Sequence, residues 1–248
     1  MKNWLLLLSW GALVGCTPTG APPLPADRDG LLRYAAANRV LPSPKPDKPR
    51  VVLLGNSITD RWVHTDSSFF VGSHYEYVGR GIDGQVSPQM LVRFRQDVLD
   101  LRPAAVAILA GINDIGENKG DPYDPVATLN NTKSMTELAQ AHGIKVILCS
   151  VLPAYDFPWR RGLAPAPKVV ALNRQIKAYA AQQHCTYLDY HSAMADSRQG
   201  LPLALAKDEV HPTLAGYHVM EPLLDQAVAT ALAQPPAAPG SGGLVVSP

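Results

Sequence analysis

Apolar positions along this chain follow two alternating patterns. Residues 51–54 form an unbroken apolar run closed by Gly55, as in a strand covered on both faces. Residues 104–109 and 145–151 repeat the pattern, 75–78 carry it more weakly, and 186–188 supply a short fifth copy. Between these runs the apolar spacing widens to three or four residues, the period of a helix with one buried face. A helical stretch over 31–40 is interrupted by four prolines in 42–49. Ser87 and Pro88 are predicted to open another helix as its cap and first-turn residue, with Leu91, Phe94, Val98 and Leu101 on one face. Residues 128–142 are predicted helical up to Gly143, a residue suited to a helix end. Helices over 168–184, with Leu172, Ile176 and Tyr179 inward, and over 213–232 complete the series. Strand and helix in alternation predict an α/β fold, a three-layer α/β/α arrangement around a central, mostly parallel sheet. One domain over 27–232 accounts for the pattern.

The two ends stand outside it. Lys2 and the apolar residues 4–14 read as an export leader, too short to cross a bilayer at about 20 residues per span. Leu13-Val14-Gly15-Cys16 resembles a bacterial lipobox, which implies a lipoprotein signal peptide over 1–15, cleavage before Cys16, and acylation of its thiol and amine. The plainer alternative is an ordinary signal peptide with an incidental cysteine. Residues 16–26, rich in Pro, Thr and Gly, read as a tether, and 233–248 as a flexible tail with little to bury. The expected location is an exported protein lipid-anchored to a bacterial membrane. Thr17 is not an Asp-type retention signal, which favours the outer membrane or its periplasmic face. Cys149 and Cys185 fall in or beside strands and are expected as two free thiols, with a disulfide between them as the alternative that an export compartment permits.

Charge removes one class of partner. The chain has 22 Lys+Arg against 21 Asp+Glu, and loss of Lys2 with the leader leaves 21 against 21. Such a balance lacks the basic excess that nucleic-acid binding uses.

Candidate chemistry lies in four loops where strands end or the last helix begins, the places at which open parallel sheets collect working groups. Gly55-Asn56-Ser57-Ile58-Thr59-Asp60 follows the first strand and puts Ser57 near a helix start, where backbone N–H groups favour negative charge. Singly, this serine reads equally as a helix cap. Gly81-Ile82-Asp83-Gly84 offers glycine N–H groups that a substrate can approach closely, or a simple turn. Gly111-Ile112-Asn113-Asp114 offers an Asn side chain able to bind an oxyanion, or an Asx-turn. In Asp208-Glu209-Val210-His211-Pro212, the spacing lets the chain bend so that Asp208 reaches one imidazole nitrogen and leaves the other free. Glu209 is the competing partner, disfavoured because an adjacent side chain meets the ring from the wrong side.

Taken in order, these four blocks resemble the signature blocks of the SGNH (GDSL-type) hydrolases, and the likeness spans residues 51–224. The resemblance implies a flavodoxin-like sheet and a serine esterase needing neither metal nor organic cofactor. It assigns Ser57 as nucleophile, His211 as base and Asp208 as its orienter. The Ser57 and Gly84 backbone N–H groups and the Asn113 side chain form the implied oxyanion hole. One position departs from the family, which commonly has Asp where this chain has Asn56, and this leaves open how the serine loop is braced. The chain looks most like exported bacterial members that remove acetyl groups from carbohydrates, so a short acyl ester on a sugar is the expected substrate. A lipase or lysophospholipase-like acylhydrolase and a non-catalytic carbohydrate-binding lipoprotein are the alternatives. A metal-dependent phosphoesterase is a further class, but the seven histidines form no recognisable ligand motif. Trp62, Tyr155, Phe157 and Trp159 fall in predicted loops, where they would either serve as platforms for a sugar ring or pack as ordinary loop residues.

Overall fold

The computed structural model describes residue 27 and residues 29–235. The leader over 1–15, Cys16, the tether and residues 236–248 of the expected tail lie outside the described residues. The chain opens with α1 (Ala35–Val40) and then enters the sheet with β1 (Arg50–Gly55). It continues through α2 (Ser57–Thr65), α3 (Ser67–Gly72), β2 (Glu76–Gly81), α4 (Ser87–Val92), α5 (Phe94–Asp97) and a 3-10 turn at Leu99–Leu101. Next come β3 (Ala105–Ile108), α6 (Ile112–Ile115), α7 (Pro125–Ala141) and β4 (Lys145–Cys149). The last elements are α8 (Pro165–Gln182), β5 (Thr186–Leu188), α9 (Tyr190–Met194) and α10 (Leu214–Ala233).

All five strands are parallel, in the order β2-β1-β3-β4-β5. That is the doubly wound order whose direction of winding reverses between β1 and β3, the place beside which open parallel sheets collect their working groups. Val51, Val52, Leu53 and Leu54 are buried, as a strand covered on both faces requires. Each such side chain contributes about 1.5–3 kcal/mol by leaving water. Register places Gly55 of β1 beside Gly81 of β2, and Leu54 beside Ile108 of β3. The loops after these three strands therefore emerge side by side.

Helix α10 is tied to α2 by side chains that no local pattern reveals. Trp62 of α2 stacks on Tyr217 of α10 with ring centroids 5.2 Å apart, and the Tyr217 hydroxyl donates to Ile58 O at 2.8 Å. Since Ser57 starts α2 and His211 stands three residues before α10, this contact carries the two toward each other. Among the described residues no helix is long and apolar enough to cross a membrane.

Several elements differ from the sequence expectation. The predicted strand over 75–78 begins one residue later and runs on to Gly81, so Gly79 and Gly81 belong to β2 rather than to a loop. A Cβ on Gly81 would lie 2.1 Å from Asp60 N, which is why the strand can pack there against the start of α2. The predicted strand over 145–151 stops at Cys149, because Val151 pairs through both backbone groups with the Asn173 side chain of α8, at 2.7 and 2.9 Å. Ser87 is the first residue of α4 rather than its cap; the capping charge comes from Asp114, whose carboxylate accepts from both the N–H and the hydroxyl of Ser87. The apolar face at 91, 94, 98 and 101 is real, but the helix is interrupted at Arg93, whose side chain is buried, and again at Val98, giving α4, α5 and the 3-10 turn. Residues 31–34 form a turn, leaving α1 shorter than expected. The first tail residues are pinned: Gln234 donates to Thr186 Oγ1 at 3.2 Å, and Lys145 Nζ bonds to Pro235 O.

Arg93 is wholly buried. It donates to Asp97 Oδ2 at 3.0 Å, to Gln85 Oε1 at 2.6 Å and to Gly55 O at 2.9 Å. Truncating one member of such a buried pair costs about 3–5 kcal/mol, because the other charge is left unpaired.

His191 of α9 is also buried, and its Nε2 has no hydrogen-bond partner among the described residues. Burial lowers its pKa. A histidine with a lowered folded pKa binds fewer protons folded than unfolded. Its stabilisation is therefore complete above the unfolded value near 6.5 and declines as pH falls toward the folded value. Urea unfolding midpoints should drop from pH 7.5 to pH 5, with a slope of at most about 1.4 kcal/mol per pH unit from this group. His191→Gln should flatten that dependence, and an unchanged slope in the variant would contradict the assignment.

Candidate active site

Asn56 follows β1 and caps α2, its side-chain oxygen accepting from Ile58 N at 3.2 Å. That answers how the serine loop is braced without the Asp common at this position: the cap needs an acceptor oxygen, which Asn supplies as well. Ser57 is the first residue of the helix, so its backbone N–H is among the amides that a helix leaves without an internal partner. Its hydroxyl lies 3.0 Å from His211 Nε2, across 154 residues of sequence.

The loop before α10 folds back on itself. Glu209 takes a left-handed conformation, φ +63°, and Asp208 Oδ1 accepts from Val210 N at 3.2 Å and from His211 N at 2.8 Å. The bend aims the same carboxylate at the ring, with His211 Nδ1 2.8 Å from Asp208 Oδ2. Burial alone would raise the Asp208 pKa, but the His211 and Val210 hydrogen bonds outweigh it and hold the group below the ordinary carboxylate value. Asp208 is thus ionised at neutral pH and can only accept, so the neutral ring carries its proton on Nδ1 and presents a lone pair at Nε2 to Ser57 Oγ. An imidazole so held can take the hydroxyl proton. Glu209, the competing partner, faces Arg198 instead at 3.6 Å.

Ser57, Gly84 and Asn113 follow β1, β2 and β3, three neighbouring strands of the sheet. Gly84 has φ +69°, a conformation that favours glycine, and open space where a Cβ would stand. Asn113 is buried, and its Nδ2 donates to Gln85 O at 2.9 Å, joining its loop to the residue after Gly84. An amide nitrogen carries two hydrogens, so the second remains available for an incoming oxygen. The Asn118 side chain donates to Asn113 Oδ1 at 2.8 Å. Neither Asn118 nor the Arg93–Gln85 pair was signalled by a motif; an arginine among apolar helix positions was the one visible hint.

The four candidate aromatic platforms divide. Trp62 and Phe157 are corrections: Trp62 sits inside α2 packed on Tyr217 and Phe69, and Phe157 is fully buried, so neither offers a ring face to a substrate. Tyr155 and Trp159 are half exposed. Trp159 stands with its ring centroid 5.8 Å from that of His211, and Tyr155 lies beneath the Arg198 guanidinium.

Cys149 and Cys185 are unpaired. Burial raises both thiol pKa values, that of Cys185 to about 11, so neither is a thiolate nucleophile at neutral pH. Among the described residues one set of side chains with the chemistry to hold a metal ion comes together where sequence spacing hides it, Asp66, His218 and Glu221, with candidate ligand atoms within 4.8 Å of one another. Asp66 follows the last residue of α2, roughly 13 Å along the helix from Ser57 at 1.5 Å per residue. Its carboxylate is already engaged with the start of α3 and with His218, and Glu221 accepts from Trp62 Nε1.

The family model of the GDSL-like lipase/acylhydrolase family matches residues 53–219. The crystal structure of a GDSL-like lipase from Bacteroides thetaiotaomicron is 46% identical, with TM-score 0.78, over 82% of this chain and 98% of that one. A candidate acylhydrolase from Bacteroides fragilis is 48% identical, with TM-score 0.79, over 83% of this chain and 99% of that one. An acetylxylan esterase from Geobacillus stearothermophilus is 26% identical over 153 residues, 58% of this chain and 67% of that protein.

Proposed function

This chain belongs to the GDSL-like lipase/acylhydrolase family and is a carboxylic ester hydrolase, and from that premise we propose that it removes short acyl groups, acetyl foremost, from a carbohydrate through an acyl-enzyme on Ser57. The observation that carries the reading is the unbroken chain from Asp208 through the His211 ring to the Ser57 hydroxyl.

Ser57 Oγ bonds to the ester carbonyl carbon while His211 Nε2 takes its proton, and the carbonyl oxygen becomes an oxyanion. The Ser57 and Gly84 N–H groups and the second Asn113 N–H receive that charge, which exists fully only at the tetrahedral stage and so lowers the barrier. The bond to the alcohol oxygen then breaks as the imidazolium returns the proton to it. Water repeats the sequence on the acyl-enzyme and releases the acid and free serine. Asp208 stays ionised throughout and steadies the imidazolium.

Support for a sugar as the alcohol part comes from Trp159, a half-exposed indole beside the imidazole, and from the acetylxylan esterase relative. The lipase-like reading, with longer acyl chains, draws on the Bacteroides thetaiotaomicron relative. A rate series on aryl esters of increasing acyl length, run beside acetate release from acetylated xylan, separates the two. The proposal expects kcat/KM to fall sharply beyond acetyl and acetate to appear from the polysaccharide; a rise with chain length would overturn it in favour of the lipase-like role. We further propose export and a lipid anchor at Cys16, resting on the lipobox-like Leu13-Val14-Gly15-Cys16, with the outer membrane or its periplasmic face as the site.

A further inference from the structure

Of the three oxyanion donors, two are backbone groups whose direction the fold fixes, and the third is the side chain of Asn113. A primary amide has two ends of nearly equal shape, so packing alone does not decide which faces the substrate. We propose that Asn118 is a positioning residue of the oxyanion hole, its side-chain amide holding Asn113 in the one orientation that leaves an N–H for the reacting oxygen. This rests on the Ser57 acyl-enzyme reading above.

Two hydrogen bonds select that orientation. Gln85 O accepts from Asn113 Nδ2 at 2.9 Å, and Asn118 Nδ2 donates to Asn113 Oδ1 at 2.8 Å. Turning the Asn113 amide over would set its oxygen against the Gln85 carbonyl, two acceptors face to face, and its nitrogen against the Asn118 nitrogen unless the Asn118 amide turned over with it. The Gln85 end therefore rejects the flipped state, and the Asn118 end adds a second amide that must turn before that state can form. The Gln85 end is itself rigid, because Arg93 Nε holds the Gln85 side chain while the same guanidinium grips Gly55 O below the serine loop. The Asn118 end is different. Asn118 lies on the exposed turn after α6, and its backbone N–H returns to Asn113 O at 3.1 Å. Its side chain can therefore be replaced without opening the core, which makes its contribution measurable.

The test is steady-state hydrolysis of an aryl acetate, with inhibition by a short alkylboronic acid as a tetrahedral mimic, for the wild type, Asn118→Ala, Asn118→Asp and Ser57→Ala. Asn118→Ala removes one of the two selecting bonds and should lower kcat by about 5- to 10-fold, with KM nearly unchanged. Asn118→Asp presents an acceptor to Asn113 Oδ1, favours the flipped amide, and should lower kcat further, toward the roughly 100-fold expected for Asn113→Ala. In both variants the inhibition constant of the boronic acid should rise by the same factor as kcat falls, while thermal midpoints stay at the wild-type value. A merely structural turn residue would move the midpoint or KM and spare the boronate. Wild-type kcat in both Asn118 variants, with Ser57→Ala inactive, would overturn the positioning role and leave the acyl-enzyme reading standing. Full turnover by Ser57→Ala would overturn both together.

Discussion

Ser57→Ala should lower kcat by about 10⁶-fold, the scale seen when the nucleophile of a cooperating triad is removed. Fold and stability should be nearly untouched. Asn56, not Ser57, caps α2, and the Ser57 hydroxyl is engaged with His211 rather than with the helix. Alanine is also the residue best suited to a helix. Circular dichroism and a thermal midpoint matching the wild type, together with turnover near the uncatalysed rate, is the expected pair of results. Substantial activity in a folded variant would mean that another group attacks the ester.

Asp208→Asn is the second large effect, about 10⁴-fold in kcat. The oxygen of the amide can still accept from Val210 and His211 N–H, so the bend before α10 should persist. Its N–H2 group would then face His211 Nδ1 and demand a lone pair there. The ring proton would move to Nε2 and point at Ser57 Oγ, and a base carrying a proton cannot take another. A loss of less than about 10-fold would show that the ring finds its tautomer without the carboxylate, against the role that the 2.8 Å contact supports.

The sequence reveals the strands and the four loops because both are written locally. β1, β3 and β4 are apolar on both faces and need no distant partner to be recognised, and the α/β alternation follows from them. The site loops are legible because each carries its polar groups within a few residues of a strand end or of the last helix. What the sequence hides is set by contacts between distant segments. Helices α3, α6 and α9 are only four to six residues long, too short for a 3.6-residue period to declare itself. Trp62 looked like a loop aromatic because α2 opens with polar residues, and its burial depends on Tyr217, 155 positions away. Phe157 is buried for a similar reason: the long segment between β4 and α8 has no period of its own and takes its order from what it covers. The Arg93–Gln85 brace and the Asn118 contact are likewise tertiary, since neither the spacing nor the residue types form a motif. Asp66, His218 and Glu221 meet only because α2 and α10 pack together.

The central claim is that the hydroxyl of Ser57, and no other group in the chain, is made nucleophilic by His211. Treating the protein with a fluorophosphonate and mapping the adduct by mass spectrometry tests it most directly. The expected result is a single stoichiometric adduct on Ser57, formed in step with loss of esterase activity, absent in Ser57→Ala and greatly slowed in His211→Ala. An adduct on another residue that accounts for inactivation, or full inactivation of a folded Ser57→Ala variant, would contradict it.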